Sequence, residues 1–228
     1  YLPSVNYFYF NYKELIYLLR IGFPMMLAGV VASFYLTIDK LFIFSIATPA
    51  EIGIYQIALL PIVFGVIVNS LASQYISPKL LFEFGEGKSL DYIFRRSVVA
   101  SLLLMALMIL IAPFILIMMN YIVENWLPLY KDSLPMIQIF YVGTVFAASN
   151  LFNIVISAAN RPSILLIHNI FILFIAYVIF ALFSSSKPFI WFAYVVASIH
   201  ILKFISSMVI NLIIVRSNIE IKGLKKFS

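Results

Sequence analysis

Charge is scarce in this chain. Of its 228 residues, 11% are Asp, Glu, Lys or Arg and 64% are hydrophobic, whereas a water-soluble domain carries about 25% charged residues and roughly half apolar ones. With a mean hydropathy of +1.09, the chain cannot fold that much apolar surface away from water, which excludes a soluble globular domain and implies an integral membrane protein. Cysteine is absent, so there is no disulfide, thiolate nucleophile or Cys-ligated metal. There is no HExxH, no GxSxG and no phosphate-cradling glycine loop. Neither His168 nor His200 has an acidic residue within a turn of it. An enzyme, a metal centre and a bound cofactor are therefore not expected, and the lack of a glycine-rich filter segment argues against a channel. Residues 1–20 lack a signal-peptide layout, and the sequence opens on Tyr1 rather than Met. The expectation is part of a longer chain or a processed product.

What is present is a set of long apolar runs. Six of them, at roughly 21–47, 52–77, 97–120, 133–159, 163–184 and 188–215, reach the about 20 residues that a bilayer-spanning helix needs. Proline, glycine or charge bounds each run: Pro49, Glu51 and Gly53; the segment SPKLLFEFGEGKSLDYIFRR; ENWLPLYKD; NRP; and SSSKP. Runs of this length do not alternate as barrel strands do. The predicted fold class is an all-α integral membrane protein, a bundle of six transmembrane helices over residues 21–215. Residues 1–20, with KELIYLLR, read as an amphipathic lead-in lying in the membrane interface. Residues 216–228 read as a basic cytoplasmic tail near anionic headgroups. Segment 80–96 is predicted to be the longest cytoplasmic loop.

Lys and Arg fall unevenly between the spans. Lys13, Arg20, Lys79, Lys88, Arg95, Arg96, Arg161, Arg216, Lys222, Lys225 and Lys226 share one side; Lys131 and Lys187 take the other. The positive-inside rule then places both termini in the cytoplasm. It also accounts for the net charge of +6 as a topology signal, and nucleic acid is not an expected partner.

A charge at mid-span costs about 2.5–3.5 kcal/mol on insertion scales, so it faces protein or a wet cavity. Asp39 and Lys40 interrupt the first run and point about 100° apart on a helix, and with Ser33 and Thr37 they widen its polar surface. In the sixth run His200, Lys203, Ser207 and Asn211 form one narrow stripe. That stripe is either an interhelical hydrogen-bond seam, with Lys203 paired to a carboxylate such as Asp39, or the lining of an aqueous cavity that accepts anionic groups. Two intramembrane lysines against one acid favour the cavity. In the fourth run Gly143, Ala147, Asn150, Asn153, Ser157 and Asn160 suit close helix packing. The arc of Asn69, Ser70, Ser73, Gln74 and Ser77 suits packing or a cavity equally. Pro24, Pro61 and Pro113 each remove a backbone bond and can bend a span.

The order of these features resembles a known family. YKELIYLLRIGFPMMLAGVVASFYLTIDKLFIF followed by TPAEIGIYQIALLP is similar to the opening of one half in the multidrug/oligosaccharidyl-lipid/polysaccharide exporter superfamily, with Gly22, Pro24, Asp39, Lys40, Gly53 and Tyr55 carrying the match. SQYISPKLLFEFGEGKSLDYIFRRS, WLPLYKDSLPMIQIF and SAANRPSILLIHN continue it through the later spans, although WLPLY lacks the glycine common before the tyrosine. The likeness is greatest to O-antigen and capsule flippases. It implies a fold of two six-helix lobes around a central cavity, of which this chain is one, the C-terminal lobe. It implies transport of a polyprenyl-pyrophosphate-linked oligosaccharide across a bacterial cytoplasmic (inner) membrane, with the bilayer and a missing N-terminal half or a second chain as partners. Lys203, His200, Lys40, Asp39, Ser207 and Asn211 are the candidate substrate-binding or cavity-lining residues. The alternatives are a cation-coupled multidrug antiporter, for which Asp39 is the only deep acid, and a non-transporting membrane scaffold.

Overall fold

A computed structural model of the protein describes residues 12–183 and 188–224. Most of the lead-in, Lys187 and the end of the basic tail lie outside the described residues. Among the described residues nine α-helices follow in order: α1 Tyr12–Tyr35, α2 Ile38–Ile46, α3 Pro49–Ala58, α4 Leu60–Gly85, α5 Leu90–Trp126, α6 Leu134–Ser149, α7 Asn153–Ala158, α8 Pro162–Phe183 and α9 Trp191–Leu224, with a 3₁₀ helix Pro128–Ser133 before α6. They assemble into six spans long and apolar enough to cross a membrane, Tyr12–Ile46, Pro49–Gly85, Leu90–Trp126, Pro128–Ala158, Pro162–Leu182 and Trp191–Ser217. Their outer surface is apolar: Leu110, Phe114 and Ile117 on α5 are each more than two-thirds exposed, as hydrocarbon-facing side chains should be.

The connections are tighter than the charge pattern suggests. The expected loop at 80–96 is helical apart from residues 86–89. Gly87 takes φ +97°, a left-handed conformation that costs glycine little, and Ser89 then caps α5 by accepting the Tyr92 N–H at 3.2 Å. Mixed charge in this stretch therefore marks helix ends at a membrane surface rather than a long loop. Thr48 and Glu51 form a reciprocal capping box at the start of α3, with Pro49 in the first turn, which satisfies backbone donors that would otherwise be orphaned. Asn160, at φ 52°, turns the chain from the fourth span into the fifth. Residues 12–20 of the lead-in are continuous with the first span, and α9 carries on past Arg216.

The fourth span is the centre of the bundle, and α6 packs against α4, α5 and α9. Two glycines permit this. A Cβ on Gly65 would lie 2.7 Å from Thr144 Cγ2 and 2.9 Å from its carbonyl, and one on Gly143 would lie 2.9 Å from Ala197 Cα. Backbones approach here more closely than any side chain allows, which is the use of small residues that the fourth-run pattern predicts at Gly143. By contrast, α1 rests chiefly on α8, where the buried Asn169 amide donates to the Ala28 carbonyl at 3.0 Å. Between α1 and α4 the bundle is left open.

Candidate functional site

Three spans are interrupted, and two of the interruptions face each other across that opening. The first lies between α1 and α2. Thr37 donates its hydroxyl to the carbonyls of Ser33 at 3.1 Å and Phe34 at 3.2 Å, while its own N–H tightens onto Phe34 O. A side chain that competes in this way for helix carbonyls loosens the ladder, and Thr37 leaves helical geometry at φ −124°, ψ −5°. The second lies at residues 150–152, between α6 and α7. Asn150 has ψ 85°, so the last carbonyls of α6 lose their ordinary partners. Asn69, reaching over from α4, supplies replacements: its amide donates to Ala148 O at 3.0 Å and to Asn150 O at 3.1 Å. The third, at Leu59, sits two residues before Pro61.

The first two breaks border one polar cavity of about 160 Å³, lined by residues of the first, second, fourth and sixth spans including Tyr35, Asn69, Asn150, Asn153, His200 and Lys203. That is room for several waters. Lys203 is the one formally charged residue of the lining, and no carboxylate lies within ion-pair distance of it among the described residues. Its ammonium instead stands 4.3 Å from the centroid of the Tyr35 ring, a cation–π contact that supports the charge without neutralising it. Tyr35 is fixed in turn by a 2.9 Å hydrogen bond between its hydroxyl and His200 Nδ1. Behind them the buried His168 shares a 2.8 Å hydrogen bond with the Ser206 hydroxyl.

No family model, no curated protein and no solved structure matches the chain. The site is therefore read from its own chemistry.

Of the six candidates from the sequence, His200 and Lys203 line the cavity. Asp39 does not share it. Its buried carboxylate accepts the hydroxyl proton of Tyr55 and borders a separate pocket of about 30 Å³, which adjoins the cavity through Tyr35, Leu36 and His200. The pairing of Lys203 with Asp39 is not formed, and both groups have other partners. Lys40 is half-buried and lines neither space. Ser207 and Asn211 lie one and two turns further along α9, buried in a seam in which the Asn150 amide donates to Ser207 Oγ at 3.3 Å and the Asn211 amide to the Ser207 carbonyl at 2.7 Å. The polar stripe of α9 thus divides, with its first half facing the cavity and its second half another span.

Of the other polar lining residues, Tyr35 is the one that the sequence reading does not single out. Tyr35 stands four positions before Asp39 and between Ser33 and Thr37, which is the only signal that it belongs to the polar face. Asn69 lay in an arc left open between packing and cavity, and it serves both. Asn150 and Asn153, both assigned to packing, line the cavity, with Asn153 exposed at its edge.

Proposed function

We propose that the chain is one six-helix half of a flippase that carries a polyprenyl-pyrophosphate-linked oligosaccharide across a bacterial cytoplasmic membrane. The observation that carries this reading is Lys203, a cation that lines a polar cavity inside the bundle and, among the described residues, has no carboxylate within ion-pair distance. Such a group is costly to retain in a membrane unless it meets a counter-charge. A pyrophosphate headgroup supplies one through charge-assisted hydrogen bonds. Asn153, exposed at the same cavity, offers the amide donor and acceptor that sugar hydroxyls need.

The outer wall supports a two-part assembly. Ser70 and Gln74 of α4 are exposed and bond to each other at 3.3 Å. Polar groups at membrane depth require cover from protein or water, and a second six-helix half, in a longer chain or a second copy, would give it. Interrupted helices around a mid-membrane site are the ordinary means by which carriers line a pathway with polar backbone. The Lys/Arg distribution supports a cytoplasmic placement of both termini. Asp39, held by Tyr55, is a poor site for a cationic drug, which disfavours the antiporter reading.

The test is glycan export in a flippase-deficient strain. Lys203→Ala should abolish most export at unchanged membrane expression, and Lys203→Arg should keep a substantial part of it. Full export by Lys203→Ala refutes the reading.

A further inference from the structure

The turn between α4 and α5 gathers charge at one end of the bundle. From Ser97 to Val123 α5 carries no charged residue, and the exposed Asn120 and Tyr121 mark the far edge of its apolar stretch. The about 20 residues that the hydrocarbon core takes, counted back from there, end a few residues short of Arg96. Arg96 therefore stands just beyond the core, and Tyr92 about 6 Å further out, which is headgroup depth. Phe82, near the end of α4, is largely exposed, as suits a turn in contact with lipid. At this level two cations meet on one ring. Lys88 Nζ lies 5.8 Å and Arg96 Cζ 5.6 Å from the centroid of the Tyr92 ring, and Arg96 Nε donates to the Tyr92 hydroxyl at 3.1 Å. Tyr92 is half-buried and the Ser89 hydroxyl accepts its N–H at 3.2 Å, so the platform is fixed to the first turn of α5. Among the described residues neither cation has a carboxylate within ion-pair distance. Asp91 is taken by Arg95 at 2.8 Å, and Glu83 on α4 leaves Oε2 buried and unpartnered. With Nε committed to Tyr92, the two terminal amino groups of Arg96 make no hydrogen bond among the described residues. Along α5 from Arg96, one face continues through Val99, Leu103, Leu107, Leu110 and Phe114, all of them exposed.

We propose that Lys88, Tyr92 and Arg96 form a binding site for the headgroup of an anionic phospholipid, of the phosphatidylglycerol type, at the membrane surface where α4 turns into α5. Two like charges held on one ring repel each other, and a shared anion replaces that repulsion by attraction. The free fork of Arg96 suits two oxygens of one phosphate, and Lys88 adds a point charge beside it. The positive end of the α5 dipole lies within the same turn. The phosphate is that of a lipid rather than of a soluble molecule, because the depth of Arg96 and the exposed Phe82 set the cluster among headgroups. The apolar face that runs from Arg96 to Phe114 then gives an acyl chain a track directly below the phosphate. This site uses neither the polar cavity nor Lys203, and it stands without the flippase reading.

The experiment is thermal unfolding of the purified full chain in a neutral detergent, titrated with short-chain phosphatidylglycerol, with phosphatidylcholine of the same chain length, or with inorganic phosphate. A saturable rise in Tm with phosphatidylglycerol alone is expected. The Lys88→Gln/Arg96→Gln double variant should weaken half-saturation by about tenfold or more, the scale set by two surface cations against an anionic lipid. Arg96→Lys keeps the charge but loses the fork; it should weaken half-saturation severalfold, and it carries the test if the double variant fails to fold. The Arg20→Gln/Arg161→Gln double variant removes the same charge from other helix ends and should leave half-saturation nearly unchanged. Equal rises with the two lipids would mean no headgroup selection, an equal rise with inorganic phosphate would mean a soluble-anion site, and equal weakening in the two double variants would mean diffuse charge. Each of these overturns the proposal. Lys203→Ala should leave the titration unchanged, so that a failed export mechanism and a failed headgroup site give different results.

Discussion

Replacing Asn69 by leucine tests whether the fourth span is broken as described. The Asn69 amide is the donor for two carbonyls at the break, Ala148 O and Asn150 O. Leucine nearly matches its volume and removes both donors. Ala148 is fully buried, so its carbonyl is left dry and costs about 1–3 kcal/mol, the penalty of an orphaned buried acceptor. Asn150 borders the cavity, where water can replace the lost bond, and only the net worth of an ordinary hydrogen bond, about 1 kcal/mol, is forfeited. The total is about 2–4 kcal/mol, or a fall in Tm of about 4–16 °C at the 2–4 °C per kcal/mol typical of a chain this size. The assay is thermal unfolding of the purified protein in detergent, with Asn120→Leu as control. Asn120 is exposed on α5 and should tolerate the change. Equal midpoints for the two variants would mean that Asn69 does not cap the break, and the account of the cavity wall would fail with it.

Three further outcomes are expected. Gly143→Ala should destabilise by about 1–3 kcal/mol through overpacking, because the new Cβ meets the Ala197 backbone at 2.9 Å; an unchanged Tm in the same assay would show that α6 and α9 do not touch. Tyr55→Phe removes the hydroxyl that serves the Asp39 carboxylate and should cost about 1–3 kcal/mol, read as a lower Tm that Asp39→Asn partly restores in the double variant. A cysteine at Asn153 should react with a membrane-impermeant thiol reagent in the purified protein and one at Asn211 should not, since the first is exposed at the cavity and the second is buried; the reverse order would place the wet space on the wrong side of α9.

Much of this architecture is legible in the sequence because bilayer solvation imposes length and apolarity on every span. The six runs, the helical class and the close packing at Gly143 follow from that constraint. Interruptions are harder to read. Pro61 announces the one beside it, but Pro24 and Pro113 lie inside continuous helices. The two breaks that matter to the cavity contain no proline. They arise from Thr37 and Asn150, residues that can compete for backbone groups without having to, and only the surrounding structure decides whether they do. The partition of the α9 stripe is illegible for a similar reason: His200, Lys203, Ser207 and Asn211 share a helix face, and what covers each part of that face depends on where the fourth span stops being helical. The tie between Asp39 and Tyr55 joins two spans, and no local pattern reveals it.

The glycine contacts at Gly65 and Gly143 weld the second, fourth and sixth spans into one slab, because main chains touching main chains leave nothing to slide. The first span has no such weld to that slab; it hangs on its neighbour α8 and reaches the slab through side chains, Tyr35 on His200 and Asp39 on Tyr55. Separating the welded spans would rupture contacts that no rotamer change can relieve. The more compliant member around the cavity is therefore the first span, whose ties at Tyr35 and Asp39 can break by side-chain rotation.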